Sequence, residues 1–145
     1  MADAVPQNFS NHGRLDPTFH FFVLPVFAVT LIATIIHLVR RPGLHSAWLV
    51  VFMVVAIVAL FKIRLYTLKV QDRVIRLEER LRLATLLDPT LRPRIAEFTE
   101  AQLIALRFAS DAELPALAAR ALNEKLSAPD IKKAVQHWRP DYWRV

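Results

Sequence analysis

The sequence predicts an all-α membrane protein: a two-helix transmembrane hairpin, a second span that continues as a long juxtamembrane helix, and a small C-terminal helical domain. Three observations carry this reading. The chain is 54% apolar, above the roughly 45–50% of soluble domains. It has two glycines in 145 residues, and strands joined by tight hairpins draw on more turn glycine than that. No proline or glycine falls between Leu44 and Asp88. The expected segments are an N-terminal cytosolic stretch at 1–17, the hairpin at 18–66 with spans at about 18–39 and 46–66, an amphipathic juxtamembrane helix at 67–88, and the C-terminal domain at 89–145.

The first span rests on Phe19–Val39, 21 residues without Asp, Glu, Lys or Arg. As a helix at ~1.5 Å per residue it matches the ~30 Å hydrocarbon core of a bilayer. Asp16 is its expected N-cap, with Pro17 in the first turn where a missing N–H costs nothing. Pro25 predicts a mild kink, because it leaves the Phe21 carbonyl without an N–H donor. The run follows a mixed polar segment and lacks a basic lead, so it does not read as a signal peptide.

The second apolar run, Ala47–Phe61, is short for a span, and reaching Tyr66 restores the length. Lys62 and Arg64 then lie near the helix end, where long cationic side chains reach the headgroups. Trp48 and Tyr66 fall near opposite ends, the usual place of amphipathic aromatics. The link "RRPGLHSA" contains the turn signal Pro42-Gly43 and forces an antiparallel pair.

Charge sets the orientation. Of the net +6, residues 62–87 supply seven Lys/Arg against three acids, whereas 88–145 carry nine against eight. Arg14, Lys62, Arg64, Lys69, Arg73 and Arg76 stand on the terminal side, against Arg40 and Arg41 in the link. The positive-inside rule therefore places both termini in the cytoplasm, with a bacterial inner membrane as the expected location. Lys62, Arg64, Lys69 and Arg73 are the expected contacts to anionic headgroups. Small and polar residues are expected to pack the spans: Thr30, Ala33, Thr34 and His37 on the first, Ala56 and Ala59 on the second.

Beyond the membrane, Ile63, Tyr66, Val70, Val74, Leu77, Leu81 and Ala84 recur at an average spacing of 3.5, a helical stripe. Asp72–Arg76 and Glu78–Arg82 are acid-first i, i+4 pairs that support the same helix. The stripe fits either a coiled-coil seam between copies or a face for the chain's own C-terminal helices. Arg73 and Arg80 occupy the strict d positions that follow Tyr66 and count against a simple seam.

Asp88-Pro89 ends the helix, and three further helix starts follow. "TEAQ" (Thr99–Gln102) and "SDAE" (Ser110–Glu113) are capping boxes, and "SAPD" (Ser127–Asp130) opens "IKKAVQHW". Pro115 moves the second start a residue or two later. Trp138, Tyr142 and Trp143 form an aromatic tail that suits a docked terminal segment, a partner-binding peptide or an interfacial anchor.

The segments "VQDRVIRLEERLRLATLL", "DIKKAVQHWRPDYWRV" and "PQNFSNHGRLDPTFHFF" carry a family resemblance. So does "TEAQLIALRFASDAELPAL", preceded here by Phe98 where a leucine is expected. Together they resemble an uncharacterised family of small two-span bacterial membrane proteins of acidobacterial type, a domain of unknown function. The resemblance covers nearly the whole chain. It implies a two-span anchor and a cytosolic helical domain, and it supplies no catalytic residue.

The chemistry that can be read is correspondingly thin. With no cysteine, thiolate metal sites, disulfides and cysteine nucleophiles are excluded. Neither a phosphate-binding loop nor a dinucleotide glycine pattern is present. His12, His20, His37, His45 and His137 have no ligand spacing: haem or a His37–His45 metal pair are remote readings, and no cofactor is expected. The leading expectation is a non-enzymatic membrane adaptor or accessory subunit that presents its helical domain to a protein partner. A self-assembling membrane protein joined through the juxtamembrane stripe comes second. A membrane-tethered nucleic-acid binder using Arg73 to Arg82 is weakest, because the C-terminal domain is nearly neutral.

Overall fold

The computed structural model describes residues 6–11, 13 and 15–141. It is all-helical, with no strand among the described residues. After a π-helical turn, Thr18–Val23, come α1 (Leu24–Arg40) and α2 (Leu44–Leu86). A 3₁₀ helix (Arg92–Glu97) precedes α3 (Glu100–Leu106), α4 (Leu114–Asn123) and α5 (Ala128–Ala134). The chain forms two compact units: Leu15–Lys69, and Val70–Arg144 with the N-terminal Met1–Arg14.

In the first unit the helix start follows the sequence reading: the Asp16 carboxylate accepts from the Phe19 amide at 3.1 Å. Pro25 acts differently from a simple kink. The helix widens ahead of it, and the Leu24 amide reaches back to the Phe19 carbonyl, five residues away. The proline ring crowds the carbonyl four residues before it, and a π turn is one way to relieve that contact. α1 and α2 are joined by only Arg41–Gly43, whose carbonyls at both ends accept from the Ser46 hydroxyl, at 2.8 and 2.9 Å. At the open end of the hairpin Phe19 meets Phe61 edge-on at 6.4 Å.

α2 has 43 residues, roughly 64 Å of helix at ~1.5 Å per residue. No helix-breaking residue interrupts it, and Asp88-Pro89 follows its end as expected.

The second unit contains the core. Leu83 of α2 and Leu87 just past its end join Phe98, Leu103, Leu106, Phe108, Leu114, Leu117, Ala121 and Ile131 in one buried cluster. Local chemistry sets its helix starts. The Thr99–Gln102 capping box is complete, with the Thr99 hydroxyl accepting from the Gln102 amide and the Gln102 side chain accepting from the Thr99 amide. Ser110 and Glu113 exchange the same pair of bonds, and α4 begins just after them at Leu114, with Pro115 in its first turn. Ser127 caps α5 through the Asp130 amide.

α5 is shorter than the sequence suggests. It stops at Ala134, and Val135 is already extended at φ −65°, ψ 122°. The cause is long-range: the Glu113 carboxylate accepts from the Gln136 and His137 amides and draws the chain out of the helix. Trp138 then lies in an isolated bridge opposite Ala109. Its ring packs on Phe108 at 4.9 Å, and its indole N–H donates to the Val135 carbonyl. This part of the aromatic tail is docked; Tyr142 and Trp143 lie outside the described residues.

The N-terminal segment also belongs to this unit. The Gln7 side chain makes a two-way clamp on the Asp141 backbone: it accepts from the amide at 2.9 Å and donates to the carbonyl at 3.3 Å. The Lys133 ammonium sits 5.8 Å from the Phe9 ring. Over these residues the N-terminal stretch is a strap on the C-terminal domain.

Candidate functional site

Two surfaces and one polar cluster can carry function. The first surface is the apolar hairpin. Thr18–Arg40 and Leu44–Leu86 are the two helices long and apolar enough to cross a membrane, by length and composition. Within their most apolar windows 0% and 6% of residues are buried. Core helices of soluble proteins bury such residues, and within this chain these windows are left uncovered.

The residues expected to pack the spans are placed as follows. Thr34 and Ala56 are half-buried, whereas Thr30, Ala33, His37 and Ala59 are exposed. The half-covered positions on α1 are Leu24, Phe27, Leu31, Thr34 and Leu38, so large side chains share the covered face. Both threonine hydroxyls turn back onto their own helix, Thr30 to the Val26 carbonyl and Thr34 to that of Leu31. Each donor is thus satisfied without a second helix.

Of the four expected headgroup contacts, Lys62, Lys69 and Arg73 are exposed. Lys62 leans over the Tyr66 ring at 5.7 Å. Arg64 departs from the expectation. Its side chain is 16% exposed, pairs with Asp16 at 3.5 Å, and lies 5.0 Å from the Phe19 ring. The N-cap of one helix and a cation of the other thus tie the open end of the hairpin. His20 sits at the same end, its Nδ1 2.8 Å from the Asp16 carbonyl oxygen. His37, His45 and His137 are exposed and His12 lies outside the described residues; no cluster of metal-ligating side chains occurs among the described residues.

The second surface is α2 beyond Lys69. Every residue of the sequence-read stripe, from Ile63 through Tyr66, Val70, Val74, Leu77 and Leu81 to Ala84, is exposed. The buried face of α2 is a different one, carrying Ile75, Glu79 and Leu83. From Val70 to Ala84 the stripe residues are left uncovered by the rest of their own unit.

The polar cluster lies on the covered face. Glu79 is 3% exposed. Its carboxylate accepts from Arg82 at 3.2 Å and lies 3.6 Å from Arg139. Arg82 also pairs with Asp111 and donates to the Ala109 carbonyl, both at 2.6 Å. These residues line an open groove of about 590 Å³ with Thr85 and Leu86. Burial raises the Glu79 pKa above its ordinary value; the two arginines pull it down without fully offsetting that. Neither expected i, i+4 pair forms. Arg82 prefers Glu79 and Asp111 to Glu78, and Arg76 pairs with Glu100 while donating to the Asp72 carbonyl. Acids supplied by distant segments win both arginines. No short-range pattern signals Glu79: in "LEERL" it reads as a solvated helix charge.

These features define the class as an all-helical protein with two long, uncovered apolar helices and a small helical domain. The chain belongs to DUF6526, a family of unknown function, which it matches over residues 1–145. Comparison with curated proteins and with solved structures gives no match.

Proposed function

We propose that the protein is a membrane-anchored, non-enzymatic adaptor or accessory subunit. The hairpin spans the bacterial inner membrane, both termini face the cytoplasm, and the C-terminal domain is displayed to a protein partner. One observation carries the reading: the two apolar helices leave almost none of their apolar windows buried. An uncovered face of that size is strongly unfavourable in water and favourable in hydrocarbon. Lys62, Lys69 and Arg73 supply positive charge where α2 would leave the bilayer, the pattern of a cytoplasmic flank facing anionic lipid. The Gln7–Asp141 clamp supports the shared side of the two ends.

The second reading, self-assembly, is favoured by the exposed stripe on α2. The nucleic-acid reading loses support, because Arg76 and Arg82 are engaged by Glu100, Glu79 and Asp111.

Extraction in mild detergent and mass spectrometry of what co-purifies test the adaptor reading. A stoichiometric membrane or cytosolic protein is expected beside the chain. Recovery of a lone monomer, or release of the chain from membranes by alkaline carbonate, contradicts it.

A further inference from the structure

We propose that residues Val70–Ala84 of α2 form a parallel coiled-coil seam with a second copy of this chain. This rests on the membrane reading above and names the partner of the exposed stripe. Counting a from Val74 and Leu81 and d from Val70, Leu77 and Ala84 gives alternating steps of four and three without a break. That is the a/d pattern of a left-handed two-helix seam. The same spacing runs back in sequence through Thr67, Ile63 and Leu60. All five residues from Val70 to Ala84 are exposed.

The register changes the meaning of the arginines. With Tyr66 taken as d, Arg73 and Arg80 would sit in the seam. With Val70 as d they become g residues on its flank, and Gln71, Glu78 and Thr85 become the e residues. In a parallel pair each g residue faces the e residue five positions on in the other copy. Arg73 then faces Glu78, twice by symmetry, and Arg80 faces Thr85. In an antiparallel pair g residues face one another, which would set Arg73 against Arg80. The charges thus select the parallel arrangement, the only one open to two copies anchored with the same orientation in one bilayer. Arg73 and Glu78 are both exposed, and neither makes an ion pair among the described residues.

The chain's own domain leaves room. The buried or half-buried residues along this stretch of α2 are Gln71, Asp72, Ile75, Arg76, Glu79, Arg82, Leu83 and Leu86; all but Gln71, an e residue, are b, c and f positions opposite the seam. Two heptads are few for association in free solution, but anchoring confines both copies to one surface and raises their effective concentration.

The natural absence of cysteine makes the test clean. The full chain is expressed with Leu77→Cys in the seam or Lys69→Cys at an exposed c position, and membranes are oxidised. Leu77→Cys is expected to crosslink into dimers, and Lys69→Cys to remain monomeric. Arg73→Glu or Glu78→Arg added to Leu77→Cys should each abolish the crosslink, and the two together should restore it. Equal crosslinking at both positions, none at Leu77→Cys, or no rescue by the double reversal overturns the seam and leaves the face to a different protein or to none. Carbonate fractionation of the same samples reads the anchor separately: a chain that stays in the membrane without the crosslink refutes the seam alone. A chain found in the soluble fraction refutes the anchor, and its crosslinking pattern still decides the seam.

Discussion

Leu77 and Leu83 lie on one helix, less than two turns apart. One is 60% exposed and the other 0%. The same contrast separates the two compact units. The hairpin is the more apolar, yet residues such as Phe21, Val29 and Ile32 stand open. The C-terminal unit has a smaller apolar share and gathers its apolar residues around Phe108, Leu103 and Leu114. Apolar content alone therefore does not say what covers a surface. In the C-terminal unit the chain covers itself. In the hairpin it does not, which is unfavourable in water and compatible with a bilayer.

The largest test of this contrast is to remove each leucine. Leu83→Ala should destabilise the C-terminal domain by about 2–5 kcal/mol, the usual range for a buried leucine. Leu77→Ala should change it by less than about 0.5 kcal/mol at a detergent-to-protein ratio high enough to keep copies apart. Thermal unfolding by circular dichroism of the full chain measures both. Equal effects would erase the distinction between the two faces of α2.

Next comes the buried carboxyl. Because burial raises the pKa of Glu79, the folded state favours its protonated form. Its contribution to stability is fully present below the ordinary value of 4.5 and is lost as pH rises through the raised folded value. Glu79→Gln should flatten that part of the stability–pH curve. Glu97 has the opposite sign: its hydrogen bond from Arg94 lowers its pKa, giving stability that is lost as pH falls. Being exposed, that pair contributes a smaller slope. An unchanged curve in Glu79→Gln would mean that the arginines fully neutralise the site.

Two smaller effects sharpen the account of the domain. Thr99→Ala removes a complete capping box and should cost about 1 kcal/mol. Lys125 closes α4 at φ 53°, the left-handed region, with the Leu126 amide donating to the Ala121 carbonyl. Glycine is the residue favoured at that position, so Lys125→Gly should stabilise by about 0.5–1 kcal/mol. Denaturant unfolding reads both changes, and a destabilising Lys125→Gly would indicate that the lysine side chain holds the turn.

Much of this architecture was legible in the sequence because it depends on neighbours in the chain. The Asp16 cap, the Thr99 and Ser110 boxes and the unbroken α2 are short-range features. What was not legible depends on distant partners. α2 carries two apolar faces, Val70–Leu77–Leu81 and Ile75–Leu83, and only packing on Phe108 and Leu103 selects the second as the core face. Arg82 reads as a partner of Glu78 until Asp111 is brought beside it. Likewise α5 ends where Glu113 reaches it, and Gln7 finds Asp141 from the far end of the chain. The π turn before Pro25 was signalled as a disturbance, though not in kind.

The most direct test of the central claim is site-directed labelling in intact expressing cells, using the cysteine-free chain as background. Gly43→Cys lies in the turn of the hairpin, and Ala101→Cys is exposed on α3. A membrane-impermeant maleimide should label Gly43→Cys from outside, and Ala101→Cys only after permeabilisation. Labelling of Ala101→Cys in intact cells, or of neither site until the membrane is opened, would contradict a hairpin that crosses the bilayer with both ends inside.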